Sequence, residues 1–422
     1  MQHAAPEAPP RPGSRPRPAR LVFVNRFYAP DLAATSQMLG GIAPGLAARG
    51  LAIVVVTSRQ RYEDAAANLP AREVLDAVEV RRVWSTRFGR LHPLGRLVDY
   101  LSFHASVLVE LLRLLRAGDL VVAMTDPPML SVTVWAASRL RGARLLNWLQ
   151  DLFPEVAREL GFGSIPGAVH GLLLALRDRS LRGAECNVTL GERMRDHVAA
   201  RGVAPARLAV IPNWADGAAI RPMATELSRL RHRLGLGGRF VVGYSGNLGM
   251  AHDVDALLVA ARELRDDDSL VFVLSGGGSG MRRLQREAQA DDLPNLRFLP
   301  YQSAADLGDS LAAANVHLVS LRPELEGLIV PSKTYGVLAA GRAVAFVGDS
   351  DGEIARLLRR HGCGVTVDSG ARLAQALRML RAEPSTVESM GLRARTAFDA
   401  EFSRSTVVEH WHALLARGFS HR

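Results

Sequence analysis

Short apolar runs recur along the chain, separated by stretches with helical spacing. Leu21 to Asn25 is the first run and predicts a buried strand. Ser36 to Arg49 places Met38, Leu39, Ile42 and Leu46 on one helical face, and Gly50 supplies a C-terminal stop. Ile53 to Thr57 predicts a second buried strand, and Val78 to Val83 alternates like a half-exposed one. Leu120 to Met124 and Leu145 to Trp148 are further strands, with a helix from Met129 to Leu140 between them. The pattern then repeats. Phe240 to Tyr244, Val271 to Ser275, Leu296 to Leu299, Val316 to Ser320 and Ala343 to Val347 predict strands. Helices near Asp255 to Leu264, Met281 to Ala290, Ala304 to Ala313 and Lys333 to Ala340 lie between them.

Strands alternating with helices predict an α/β fold with parallel, doubly wound sheets. Two such runs predict two Rossmann-like domains facing a cleft, with ligands beyond the C-terminal strand ends. The joint falls near Ile211-Pro212-Asn213-Trp214 and the polar stretch up to Gly238. The expected division is a basic tail at 1–20, too poor in apolar residues to fold, a first domain at 21–212 and a second at 213–400. The segment 401–422 holds one more helix, Thr406 to Leu415, expected to pack back on the first domain.

Size and charge narrow the picture. A chain of 422 residues exceeds one ordinary core. Its two cysteines, Cys186 and Cys363, match no metal spacing and suit a reducing compartment. No apolar segment follows the basic tail as in a secretory leader, and no run of about 18 apolar residues could span a bilayer. The expected location is the cytoplasm. The net charge of +10 is uneven: residues 1–200 hold 25 arginines against 18 acids. Such a face suits nucleic acid, anionic lipid or a phosphorylated substrate. A nucleic-acid surface would interleave arginine with aromatic rings, and only 6% of residues are aromatic.

Against this background Val330-Pro331-Ser332-Lys333-Thr334-Tyr335-Gly336 stands out. Lys333 is the only lysine; the other 51 cations are arginine. A compact ammonium suits a phosphate oxygen in a tight pocket, where a planar guanidinium fits poorly. Pro331 breaks a strand, Ser332 is a good N-cap, and a helical run follows, which together describe an anion site. Gly243, Gly246 and Gly249 follow the first strand of the second half, with Asn247, Met250 and His252 beside them. Gly276-Gly277-Gly278 follows the next strand. Any tight strand-to-helix turn uses glycines, but three phosphate-compatible turns at one sheet edge are more specific. The loop Asn25 to Gln37 has no glycine, which argues against a dinucleotide cradle in the first half.

Asp151 and Glu155 in Trp148-Leu149-Gln150-Asp151-Leu152-Phe153-Pro154-Glu155 are carboxylates at a strand end, suited to acid–base work or, for Asp151, to helix capping. Asp349-Ser350-Asp351 reads as a polar turn with no metal implied, and His104 as structural. Gly95 to Arg116 carries an apolar stripe through Leu97, Tyr100, Leu101, His104, Leu108, Leu111, Leu112 and Leu115. It fits a membrane interface or, more commonly in this architecture, a core helix. Ile165 to Leu181 poses the same choice.

The ordered motifs resemble glycosyltransferase family 4, of GT-B fold, over nearly all of residues 21–415, and most of all its bacterial exopolysaccharide, colanic-acid and O-antigen subgroup. The resemblance is carried by Phe27-Tyr28-Ala29-Pro30-Asp31 with Ala34-Thr35-Ser36, Asp126-Pro127-Pro128, Trp148 to Glu155, Ile211 to Trp214, Tyr244 to Gly249, Leu296 to Tyr301, and Val330 to Lys333 through Ala339-Ala340-Gly341-Arg342. It implies that the second domain binds a nucleotide sugar, with a UDP-sugar expected, and that the first binds a polyprenyl-diphosphate-linked saccharide. It implies retaining transfer, no cofactor and no metal, no nucleic acid, and peripheral contact with the anionic inner face of the plasma membrane. By that resemblance Lys333, with Ser332 and the loops around Gly246, Asn247, Gly249, His252 and Gly277, would hold the diphosphate. Tyr301 and Gln302 would lie near the base, and Asp151 or Gln150 would face the transferred sugar. Two glutamates common in the family are replaced here by Leu328 and Gly336, leaving Glu326 or Glu353 for the ribose. A nucleotide-sugar epimerase of the same fold and a basic nucleic-acid-binding protein are the alternatives left open.

Overall fold

The computed structural model describes residues 20–64, 66–89, 93–161 and 166–417. Nearly all of the basic tail, and Ile165, lie outside these residues. The first half forms β1 (Leu21–Val24), β2 (Ile53–Ser58), β3 (Arg72–Leu75), β4 (Val78–Val83), β5 (Leu120–Ala123), β6 (Arg144–Trp148), β7 (Cys186–Thr189) and β8 (Leu208–Val210). They make one sheet in the order β3-β4-β2-β1-β5-β6-β7-β8, parallel except for β3. The second half forms β9 (Phe240–Asn247), β10 (Leu270–Gly277), β11 (Leu296–Leu299), β12 (Val316–Ser320), β13 (Ala343–Val347) and β14 (Gly364–Val367). Their order is β11-β10-β9-β12-β13-β14, all parallel.

The central strands are buried along their whole length because helices cover both faces, hence their continuous Val, Leu and Ile runs. The sequence pattern passes over β3, β7, β8 and β14, for identifiable reasons. β3 is an edge strand with alternating exposed positions. β7 carries Asn187, whose buried amide is satisfied by the Asn147 amide at 2.8 Å, so polarity hides a fully buried strand. β8 and β14 are sheet edges and only partly buried.

The chain crosses between domains twice, side by side. Ala215 pairs with Ser403. Trp214 packs against the helix Ala34–Ala47, so close that a Cβ at Gly41 would sit 1.8 Å from the indole. The C-terminal helix Arg404–Ala416 packs on that same first-domain helix, and Trp411 stands edge-on to Trp148 at 4.8 Å between ring centroids. Closer to the cleft, Leu152 N–H donates to the Leu328 carbonyl (3.0 Å), and Asp151 bridges to Ile329. The two sheets therefore meet at the end of β6.

The stripe expected over Gly95 to Arg116 is not one face. In the helix Pro93–Leu114, Phe103, Val107, Leu111 and Leu114 are core, whereas Leu94, Leu97, Val98, Leu101 and Val109 are exposed. The core and the exposed apolar face are both present, on different sides of one helix. His104 is structural: its ring bonds Thr133 Oγ1 (2.8 Å) and the Pro128 carbonyl (3.1 Å). In the helix Gly167–Gly183, Leu172 is exposed and Leu181 buried. Among the described residues no helix is long and apolar enough to cross a membrane.

Candidate active site

β9 and β10 stay paired to their last residues, Gly246 against Gly276 and Asn247 against Gly277. The glycines are required there. Gly276 has φ +134°, and a Cβ on it would lie 2.0 Å from the Gly246 carbonyl oxygen. Leu248 N–H then donates to the Gly277 carbonyl (2.7 Å), locking the two loops together. Gly249 lies beside the Asn247 side chain.

Lys333 begins the helix Lys333–Ala339 and sends its ammonium to this loop. Nζ donates to Tyr244 Oη, to His252 Nε2 (3.0 Å) and to the Asn247 carbonyl (3.3 Å), and lies 4.3 Å from the Tyr244 ring centre. His252 Nδ1 bonds the Ser320 carbonyl (2.7 Å), which makes Nδ1 the protonated nitrogen and leaves Nε2 to accept from Lys333. All three acceptors are neutral. With no carboxylate to stabilise it, burial pushes the Lys333 ammonium down to about 7. Burial, then the nearby Lys333 charge, pushes His252 down to about 4. A diphosphate would supply the counter-charge that the lysine lacks.

Ser332 departs from expectation. It is exposed, sits in helical backbone geometry and makes no side-chain capping bond. The helix is seven residues long, and Thr334 and Tyr335 N–H groups close onto Pro331 and Ser332 carbonyls. The charge of Lys333, more than the helix end, is what this turn offers an anion. Tyr301, 60% exposed, stands over Gly277 at the end of β11, and Gln302 follows it, with Nε2 donating to the Pro300 carbonyl (2.9 Å). They line the same sheet edge as the glycine loops.

At the end of β6 the two adjacent candidates separate. Gln150 is occupied: its amide exchanges two bonds with the Asn213 amide (3.1 and 2.9 Å), fixing the interdomain crossing. The residue expected to face the transferred sugar thus has both ends of its amide engaged by Asn213. Asp151 does not cap the helix Glu155–Glu159, which starts after Pro154. Its Oδ1 is buried without a partner, and burial, opposed by a bond from Thr125, pushes the carboxyl up to about 6. Glu155 is held down to about 2 against the effect of its burial, by His197 and Arg177. It is a structural anion.

Glu353, the other candidate for the ribose, is also engaged across the domains. Its carboxylate accepts the Arg193 N–H of the first domain (3.1 Å) and lies against Gly191, on the interdomain face and not at the glycine loops. Glu326 caps the next helix through Glu353 N–H (2.9 Å). Asp349 accepts the Asp351 N–H (2.9 Å), as a polar turn does. Among the described residues no group of three or more His, Cys, Asp or Glu could hold a metal ion. Sequence reasoning overlooked Tyr244, which lies within the quoted glycine motif, and Asn213, whose role has no local signal.

Two parallel-sheet domains, with a lysine and glycine loops at the edge of one sheet and a buried carboxylate at the edge of the other, make a GT-B architecture. The Glycosyl transferase 4-like domain family matches residues 34–214. WcaI of Escherichia coli strain K12, named for colanic acid biosynthesis glycosyl transfer, is 27% identical over 342 residues, 78% of this chain and 83% of that protein. WbjE of Pseudomonas aeruginosa, named as a glycosyltransferase, is 27% identical over 61% of this chain and 64% of its own. The chain is thus similar to glycosyl transferase 4-like proteins, one of them named for colanic acid biosynthesis. Solved structures agree on the fold. Sucrose-phosphate synthase from Thermosynechococcus elongatus gives a TM-score of 0.76 at 16% identity, covering 94% of this chain and 98% of that one. HepE of Anabaena, solved with UDP-glucose, gives 0.69 at 16% identity, covering 94% and 99%. WaaG, involved in lipopolysaccharide biosynthesis, gives 0.68 at 16%, covering 94% and 100%.

Proposed function

We propose that the chain transfers a sugar, with retention, from a UDP-sugar to a polyprenyl-diphosphate-linked saccharide in surface-polysaccharide assembly. The observation that carries this reading is the lone lysine, desolvated among neutral acceptors at the glycine loops. A diphosphate arriving there exchanges the weak bond to the Asn247 carbonyl for a charge-assisted one. As the glycosidic bond breaks, negative charge grows on the departing phosphate, and the ammonium and loop amides stabilise it. The reading assigns this task to the chain's own groups, with no cofactor or metal. Tyr301 and Gln302 flank the base, as the sheet edge shared with Gly277 suggests. Asp151, at the seam between the domains, faces the reacting sugar and receives or holds the acceptor's proton.

In this reading the first domain meets the acceptor, and the protein works in the cytoplasm against the inner face of the plasma membrane. The exposed leucines of Pro93–Leu114 and the arginine excess of the first half support that placement. A thermal-shift screen of nucleotide sugars tests the donor class, since a ligand bound only by the folded state raises its melting temperature. UDP-sugars are expected to raise it and unrelated nucleotides to leave it unchanged. A screen in which no nucleotide diphosphate shifts the transition contradicts the reading.

A further inference from the structure

Arg26, the first residue past the short loop entrance after β1, is 8% exposed. Its guanidinium lies between two rings, 5.1 Å from the Phe27 centre and 4.9 Å from that of Tyr100, and Nε has no hydrogen-bond partner. The other buried arginines among the described residues have partners: Arg177 bonds Glu155 and Asp178, Arg82 bonds Glu73, and Arg231 bonds the Ala313 and Arg239 carbonyls and the Asn315 amide oxygen. Taking a guanidinium out of water without an anion is unfavourable, and ring faces offset only part of the loss.

Arg26 lines a cavity of about 170 Å³ with Gln60, Arg61, Tyr62, Glu63, Gly89, Arg96 and Asp99. Arg61 and Arg96 make no side-chain hydrogen bond or ion pair among the described residues. Of the two acids, Asp99 is already committed. It accepts from Thr86 Oγ1 (2.6 Å), Phe88 N–H (3.0 Å) and Gly89 N–H (2.9 Å), shaping the cavity wall. Glu63 is exposed at the mouth. Three uncommitted guanidiniums thus surround one small cavity.

We propose that this cavity holds a phosphate or diphosphate carried by the acceptor. The inference rests on the transferase reading above and adds the acceptor's anionic anchor to it. Its position fits. Tyr62 and Glu63 lie close enough to Tyr301 of the second domain to push its phenol up, together with its burial. Arg26 follows β1, two strand spacings from β6, and Gln60–Glu63 follow β2, three spacings from it, so the cavity and Asp151 lie roughly 10–15 Å apart. That span accommodates about two or three sugars between the phosphate and the reacting hydroxyl. The acceptor is therefore a short glycosyl phosphate or diphosphate. Arg96 and Asp99 belong to the same helix as the exposed Leu94, Leu97 and Leu101, which places an apolar surface beside the anion for a lipid-borne phosphate.

Titration calorimetry of the full chain with farnesyl diphosphate, in saturating UDP to fill the donor site, tests this. Arg26→Gln, Arg61→Gln and Arg96→Gln are each expected to weaken binding, by about tenfold for a lost charge-assisted bond. Glu63→Gln is expected to tighten it. The two rim variants keep the test valid if Arg26→Gln fails to fold. Farnesol is expected to bind at least tenfold more weakly than its diphosphate. Inorganic diphosphate binding as tightly as farnesyl diphosphate keeps the phosphate site and assigns it to a soluble glycosyl phosphate; tighter farnesyl diphosphate assigns it to a lipid. Unchanged affinity in Arg61→Gln and Arg96→Gln, or equal binding of farnesol, overturns the proposal. Wild-type chain that fails to bind UDP overturns the transferase reading instead, so the two failures are distinguishable.

Discussion

Lys333 and Arg26 are both cations withdrawn from water at the edges of the two sheets, and they are accommodated in opposite ways. Lys333 is ringed by three neutral acceptors, Tyr244 Oη, His252 Nε2 and the Asn247 carbonyl. Arg26 has ring faces in place of acceptors. A lysine can shed its proton when the anion is absent, and its ammonium is pushed down to about 7 by burial. An arginine side chain has no such option. Under the proposed reading, the second-domain site is coupled to protons and the first-domain cavity is not: a nucleotide diphosphate would recharge Lys333, whereas an anion at Arg26 would meet a charge already in place.

The largest expected effect is on turnover. Lys333→Ala is expected to slow transfer by about 10²–10³-fold, the usual loss for one charge-stabilising donor, with the fold intact by circular dichroism. Lys333→Arg is expected to recover little, because a planar fork does not fit among Tyr244, His252 and the Asn247 carbonyl. Near-normal rates in both variants would remove the phosphate role. Next comes Asp151→Asn, with a loss on the order of 10²-fold if Asp151 moves the proton. Its carboxyl is raised to about 6 by burial, so wild-type rate is expected to fall as pH drops through 6. An acid limb that persists in Asp151→Asn would assign it to another group.

The two sites were unequally legible in the sequence. The donor side announces itself through residue types that have local consequences. A lone lysine, glycines after two adjacent strands and a strand-end tyrosine lie in short, ordered motifs, and the loop geometry requires the glycines. The acceptor side has no such signal. Arg26 is one arginine among 51, and only the fold brings Arg61 and Arg96 around it while leaving all three without carboxylates. Asp151 and Gln150 show the same limit. Adjacent in sequence and equally polar, they part company because Asn213, 63 residues on, takes the glutamine's amide and leaves the carboxylate alone. The strand pattern was readable in the buried central strands and at the edge strand β11, and failed at the edges β3, β8 and β14 and at β7, where a buried asparagine pair imitates a loop.

Smaller effects sharpen the contrast between the two cations. Gly276→Ala is expected to destabilise the second domain by about 1–3 kcal/mol and weaken UDP binding, since its Cβ would lie 2.0 Å from the Gly246 oxygen. Chemical denaturation and calorimetry measure the two losses. Lys333→Met and Arg26→Met each remove a cation lacking a carboxylate partner, and each is expected to stabilise the ligand-free chain by about 1 kcal/mol at pH 6. At pH 9 the paths diverge. Lys333 is then neutral in the folded chain but still protonated when unfolded, below its ordinary 10.5. The unfolded state binds more protons there, so wild-type stability rises with pH between about 7 and 10.5 relative to Lys333→Met. The benefit of Lys333→Met should therefore vanish at pH 9, while that of Arg26→Met should remain. Equal pH profiles for the two variants would erase the distinction.

Calorimetry of UDP binding at pH 8, run in buffers of different ionisation enthalpy, measures the proton taken up as the diphosphate recharges Lys333. The wild-type chain is expected to take up a substantial fraction of one proton and to bind UDP more weakly as pH rises from 7 to 9, by up to about tenfold per pH unit. Lys333→Ala is expected to bind weakly with no uptake. Tight UDP binding by wild type with no proton uptake, or an affinity unchanged by Lys333→Ala, would contradict the placement of the diphosphate on this lysine.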